Sequence, residues 1–270
     1  MANRAPPGEC PRRPITRPAV KAFFLLVAYF PLTVAAADKL SIAAASNLIY
    51  ALDALTTEFR RTEPATEVTV VTGASGSLVA QIEHGAPFDV FLSADLEYPG
   101  KLLASGQALP GSLTTFAVGR LVLWSTRPSI DVSSVPAMVR NPQVRRIAVA
   151  NVTTAPYGKA ARETLLKLGL WSEAGPKLVV GENITQTAQF VETGNADAGF
   201  VALSLVLSPR LKDKGRWREI DAALHSPLDQ GAVITKRGGS NPAAARFLTF
   251  LRGPSARTVF ERFGYRVPGS

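Results

Sequence analysis

Four short stretches place small polar residues directly after apolar runs: Ser46 with Asn47, Ser75 with Gly76 and Ser77, Pro156 with Tyr157 and Gly158, and Asn183 with Ile184. None of them carries an obligate charge. The first N–H groups of a helix have no intrahelical partner and lie at the positive end of the helix dipole, so each turn offers donors to an anion. Ser and Asn are also ordinary N-cap residues, and for any one turn taken alone the cap and the anion site both stand. Taken together the turns make a cage of donors. Charge-assisted hydrogen bonds are worth roughly 1.5–3 kcal/mol each, so a handful would hold a small dianion without a buried lysine or arginine. A donor-only cage suits a fully deprotonated tetrahedral oxyanion, whereas hydrogen phosphate brings an O–H that wants an acceptor.

Other chemistries fit less well. A serine hydrolase would need His84 or His225 as base and Asp89, Asp95 or Asp229 to orient it, but GASGS departs from the G-x-S-x-G elbow at its fifth residue, Ser77. His84 stands just before Gly85, where the dipole at a helix end suits it as a surface residue. The hydrolase is therefore the remote alternative, and the chain reads as a binding protein, not an enzyme, with no cofactor. A ferric-iron site would draw on tyrosine, histidine or carboxylate ligands, and the four turns supply only Tyr157. The basic residues fall in pairs such as Arg60 with Arg61 and Arg145 with Arg146. No aromatic track alternates with them, which argues against nucleic acid.

The elements that must position these turns follow from apolar spacing. Residues 40–45 (LSIAAA) read as a buried strand, with Ser46 as the N-cap of a helix whose apolar face is Ile49, Leu52, Leu55 and Phe59. A second strand at 68–71 leads through the 73–77 loop to a helix over 78–84, and 88–93 (FDVFLS) is a third strand. Three strand–helix units in succession imply a parallel, doubly wound sheet. The run 114–125 (TTFAVGRLVLWS) is long enough to cross to a second lobe, with Gly119 as a bend. There, 146–150 and 177–180 are strands; Pro156 suits the first turn of a helix ending at Gly169, and Asn183 caps a helix ending at Gly194. A buried strand at 198–203 completes the lobe. A return strand at 231–235 then leads to helices over 242–251 and 254–263. The expected organisation is α/β: lobe 1 is 38–118 plus 232–270, lobe 2 is 119–231, and two crossover strands join them, flexing near 118 and 231. In parallel sheets ligands sit beyond the carboxyl ends of the strands, so the four turns would face one cleft.

The N-terminus reads as an address. Arg12, Arg13, Arg17 and Lys21 precede an apolar stretch over 22–34 that ends in Ala35, Ala36 and Ala37, the pattern of an export signal cleaved after Ala37. The stretch is short for a membrane span and contains Pro31. Cys10, the one cysteine of the 270 residues, lies before it, so the mature chain has no thiol. Without 1–37 the chain keeps 25 basic and 20 acidic residues, a net charge of +5.

The segments AAASN (43–47), TGASGSLVAQIEHGAPFDVFLSAD (72–95) and ETLLKLGLW (163–171) resemble the periplasmic molybdate-binding proteins of ABC transporters. The resemblance runs over 40–267. It implies a bilobed, hinge-closing solute receptor of the periplasmic-binding-protein class II type, a monomer that delivers molybdate or tungstate to an ABC permease. Carried over position by position, the oxyanion would meet the Ser46 hydroxyl and amide, Asn47, the Ser75 hydroxyl and amide, the Tyr157 amide and the Ile184 amide. One position departs: some members supply a tyrosine hydroxyl from the strand that here reads FVALSL, and Ala202 stands in its place. The resemblance also implies that in another branch an asparagine like Asn47 supplies the further contact. A receptor for sulfate or another tetrahedral oxyanion is the alternative, with cavity size as the discriminating feature.

Overall fold

Alternating apolar and amphipathic segments fold as alternating strands and helices. In the computed structural model, which describes residues 1–3, 8 and 38–267, the order is β1 (Asp38–Ala45), α1 (Ile49–Thr62), β2 (Thr66–Gly73), α2 (Ser75–Glu83), β3 (Val90–Leu92) and α3 (Glu97–Ala104). Next come β4 (Thr114–Val118), β5 (Leu121–Ser125), α4 (Val135–Arg140), β6 (Ile147–Ala150), α5 (Pro156–Lys167) and α6 (Trp171–Ala174). They are followed by β7 (Leu178–Gly181), α7 (Ile184–Glu192), β8 (Ala198–Ala202), α8 (Leu203–Val206) and β9 (Arg216–Glu219). The described chain closes with β10 (Asp229–Ile234), α9 (Pro242–Leu251) and α10 (Pro254–Arg262). Apart from 1–3 and 8, the expected export signal lies outside the described residues.

The described residues form two five-stranded sheets, ordered β2-β1-β3-β10-β4 and β7-β6-β8-β5-β9. Each sheet is the centre of an α/β lobe. The expected parallel pairs are present, β1 with β2 and β3, and β6 with β7 and β8. Each sheet is nevertheless mixed, because β10 runs antiparallel to β3 and β4, and β5 runs antiparallel to β8 and β9. These are the strands that arrive from the other lobe. They enter their sheet from the end that faces it, so they run against the strands already there.

The chain crosses between the sheets at Gly119 and Arg120, as the bend at Gly119 predicts, and again over 220–228. The second boundary expected at 231/232 is corrected: Asp229 and Gln230 already pair with Val118 and Ala117 in the first sheet, so the crossing is complete before 229. After α10 the chain returns to this hinge, where Val118 and Arg266 exchange main-chain hydrogen bonds of 2.7 and 3.0 Å. Arg120 forks onto Glu219, which also pairs with Arg266. Strand β9 (RWRE) was not legible as a strand, since its charged residues are exposed and give no apolar alternation.

Register carries the sequence into the site. β1 and β2 pair along their whole length, so their last residues, Ala45 and Gly73, lie side by side, and Ala44 stands opposite Leu92 of β3. In the second sheet Ala150 and Gly181 end β6 and β7 as partners. Each lobe thus presents the turns after its adjacent parallel strands at one level. The cores beneath are well filled, with Trp124, Phe200 and Val149 buried in one lobe and Phe59 packed edge-on against Phe247 in the other.

Candidate functional site

The four turns meet. Ala45, Ser46, Asn47, Gly73, Ala74, Ser75 and Ala94 from the first lobe, with Ala155, Pro156, Tyr157 and Ile184 from the second, enclose a cavity of about 10 Å³. All five residues expected to contact an oxyanion (Ser46, Asn47, Ser75, Tyr157, Ile184) line it and are buried. That volume is on the scale of a single small group and far below that of pockets for drug-sized ligands. Among the described residues no lysine, arginine or carboxylate lines it.

The helix starts differ from expectation in a way that matters chemically. Ser46 and Ser75 do not cap. Each is the first residue of its helical turn, and the flanking positions are Ala45 and Ala74, which make no side-chain cap bond. The reason is that each helical turn begins at the serine itself, so the cap position falls to an alanine, which has no side-chain acceptor. Helix α5 likewise begins from Ala155 without a side-chain cap, with Pro156 in its first turn as expected. Only α7 of the four is capped: the Asn183 side chain accepts from the amides of Thr185 and Gln186 and leaves that of Ile184 out of the cap. Three uncapped helix starts and one free first amide therefore converge on the cavity, and unsatisfied N–H groups concentrate positive potential there.

The hydroxyl of Ser75 accepts from the Ala94 amide at 3.2 Å, which leaves its own hydrogen to donate. Asn47 differs from the simple expectation of a side-chain contact. Both hydrogens of its carboxamide are engaged, by Gln230 Oε1 at 2.8 Å and the Tyr265 hydroxyl at 2.9 Å. Its Oδ1 and the hydroxyl of Tyr157 are buried and have no partner among the described residues. Burial holds the Tyr157 phenol well above its ordinary pKa, so this ring stays neutral. A Cβ on Gly119 would collide with that hydroxyl, which is why the first crossing passes Tyr157 with glycine. Ala202 is buried at the end of β8 opposite Leu121 and is not among the cavity residues.

Hydrogen bonds clasp the lobes around this space. Gly76 N–H donates to the Thr154 carbonyl at 2.9 Å and the Tyr98 hydroxyl to that of Thr153 at 2.8 Å. From the other side, Thr185 Oγ1 donates to the Ser46 carbonyl at 2.9 Å and Ser204 Oγ to that of Asn47 at 2.8 Å. Lys159 pairs with Glu97 across the rim at 2.9 Å. Tyr98, Thr153, Thr185, Ser204, Gln230 and Tyr265 escaped the sequence reading. Gln230 alone left a signal there, a polar residue beside the apolar run GAVIT.

Among the described residues neither histidine is hydrogen-bonded to a serine hydroxyl or an aspartate. His84 is exposed with Nδ1 2.6 Å from its own helix's Ala80 carbonyl, and His225 Nδ1 lies 2.8 Å from the Ser226 carbonyl.

Comparison with known proteins gives consistent results. A family described as bacterial extracellular solute-binding protein matches residues 40–266. The molybdate-binding protein ModA of Azotobacter vinelandii is 39% identical over 231 residues, 86% of this chain and 91% of that protein. ModA of Rhodobacter capsulatus is 42% identical over 198 residues, 73% of this chain and 77% of that protein. Among solved structures, the periplasmic molybdate-binding protein of Azotobacter vinelandii superimposes with a TM-score of 0.79 at 34% identity, covering 85% of this chain and 99% of that one.

Proposed function

This chain belongs to the bacterial extracellular solute-binding protein family, and from that premise we propose that it captures molybdate between its lobes and presents it to an ABC permease. The observation that carries the reading is the convergence of three uncapped helix starts and the Ile184 amide on a cavity of about 10 Å³ with no charged wall. A tetrahedral dianion supplies the acceptors that such a cage lacks. The Ser46 and Ser75 turns receive it through hydroxyl and main-chain hydrogens, and the Tyr157 and Ile184 amides close over it. Asn47 contributes through its main chain, since its carboxamide is engaged. Tungstate, of the same shape and charge, is a second ligand. The receptor works as a monomer outside the cytoplasm, in the periplasm once the signal ending near Ala37 is cleaved, and it calls on no cofactor.

Closure about Gly119 and the 220–228 crossing brings the second lobe's amides onto the anion, so ligand binding and lobe closure are one event. Calorimetric titration of the mature protein with molybdate, tungstate, sulfate and phosphate tests the assignment. Tight binding of molybdate and tungstate with weak or absent binding of the other two is expected. Tight sulfate binding without a response to molybdate would sink it.

A further inference from the structure

Gln230 is wholly buried at the second position of β10, ahead of the apolar run 231–234. Strand β10 shifts register against β4 between Gln230 and Gly231, and a bulge of this kind re-aims the adjacent side chain. A Cβ on Gly231 would lie 2.9 Å from the Asp95 carbonyl oxygen, so the strand runs hard against the 94–96 turn. From there Gln230 Nε2 donates to the carbonyls of Ala94, at 3.2 Å, and Leu228, at 2.8 Å. Carbonyls only accept, which fixes the nitrogen end of the carboxamide and therefore the oxygen end, which accepts from Asn47 Nδ2. The Ala94 amide in turn donates to Ser75 Oγ. One buried series of hydrogen bonds thus joins Ser75, Ala94, Gln230 and Asn47, and its middle link sits where the second crossing enters the sheet.

We propose that Gln230 is the positioning residue of the oxyanion cage: beyond the strand ends that the β1–β2 register pairs, it holds the Ser75 and Ser46 turns in place, and with them the size of anion the cage accepts. It does not line the cavity. Its action is through the two turns it holds, and the inference rests on the oxyanion reading above. Metal–oxygen bonds are longer than sulfur–oxygen bonds, so a cage whose two walls are held at fixed spacing separates molybdate from sulfate by fit. Release of the walls lets them drift together or apart, and discrimination falls with affinity. Members of one hydrogen-bond network are coupled strongly enough for this.

The experiment titrates wild type and Gln230→Leu with molybdate and with sulfate, alongside the thermal midpoint of each unliganded protein. Leucine keeps much of the volume and removes both ends of the carboxamide. Expected is a rise of about tenfold in the molybdate Kd, the middle of the range for coupled neighbours, with a fall in the molybdate-to-sulfate affinity ratio, at a temperature where the variant is folded. An unchanged Kd and ratio with a lowered midpoint would mean that Gln230 serves stability alone, and the proposal is overturned. Tyr265→Phe, which keeps the ring and removes the hydroxyl bonded to Asn47, should shift Kd and ratio in the same direction by less. Gln230→Met, which keeps the length of the side chain and also removes both ends of the carboxamide, carries the test if the leucine variant does not fold, and unchanged binding in it overturns the proposal equally. Should wild type bind sulfate and not molybdate, the molybdate reading fails, and the role of Gln230 is then decided on the sulfate Kd.

Discussion

The two lobes build their halves of the cage by different means. In the first, strand register does the work: Ala45 and Gly73 end as neighbours, helical turns begin at once, and Ser46 and Ser75 enter the cavity with hydroxyls that no cap engages. Gln230 then ties the two turns together through buried bonds. The second lobe interposes a loop, 151–155, held by Asn151 Oδ1, which accepts from the Thr153 and Thr154 amides at 2.9 and 3.2 Å. It caps α7 with Asn183, which leaves the Ile184 amide out of the cap. The first half is a platform set by a sheet. The second is a cover whose rim, Thr153 and Thr154, reaches across to Tyr98 and Gly76. Affinity for the anion should therefore reside in the platform and the closure equilibrium in the rim.

The sharpest way to break that division is Ser75→Ala. Besides the donor to the oxyanion, it removes the acceptor of the buried Ala94 amide. Hydrogen bonds to a charged group are worth about 1.5–3 kcal/mol, so the molybdate Kd should rise between roughly tenfold and a hundredfold. Calorimetry reads the loss, and small-angle scattering at saturating molybdate should still report the closed form. An unchanged affinity would place the cage elsewhere.

A smaller effect is expected at the rim. A Cβ on Gly76 would sit 2.5 Å from the Tyr98 hydroxyl oxygen, so Gly76→Ala should push Tyr98 off the Thr153 carbonyl. Loss of one neutral hydrogen bond between the lobes is worth about 1 kcal/mol, or about fivefold in Kd. Tyr98→Phe, which removes the same bond without the collision, should match it. If the rim governs closure, both variants raise the molybdate concentration needed for compaction in scattering. If Gly76→Ala weakens binding and Tyr98→Phe does not, the glycine acts on the cavity wall and the division between platform and cover fails.

Much of this contrast was legible in the sequence, and the rest was hidden for definite reasons. The four turns stood out because parallel α/β units put short polar residues just after apolar runs, and Pro156 and Asn183 occupy the helix positions that their chemistry predicts. That Ser46 and Ser75 do not cap was hidden, because the cap is whichever residue precedes the first helical turn, and apolar spacing does not fix where that turn begins. The engagement of Asn47 was out of reach as well. Its partners Gln230 and Tyr265 lie 183 and 218 residues away, and only the second crossing and the returning C-terminal segment bring them to it. The mixed character of the sheets follows from the same two crossings, and local spacing carries no trace of strand direction.

The slightest perturbation of the rim is electrostatic. Glu97, in the first turn of α3, accepts from Lys101 on its own helix and from Lys159 of the other lobe, and these two partners lower its pKa from the ordinary 4.5 to about 2. The carboxylate and both ammonium groups are about half exposed, so screening leaves the cross-lobe pair worth a few tenths of a kcal/mol up to about 1. Glu97→Gln should therefore weaken molybdate binding by about twofold at low salt, and by less at 1 M salt, where the Debye length is about 3 Å. Because the folded pKa lies below the unfolded one, the stabilisation is fully present above the unfolded value and is lost as pH falls from there towards 2. The difference in thermal midpoint between wild type and Glu97→Gln, measured without ligand, should be flat from pH 8 to about 5 and vanish as pH drops through the 4 to 2 range. A difference that instead persisted at low pH would mean that Glu97 holds the rim by shape, and the charge pair would drop out of the account of closure.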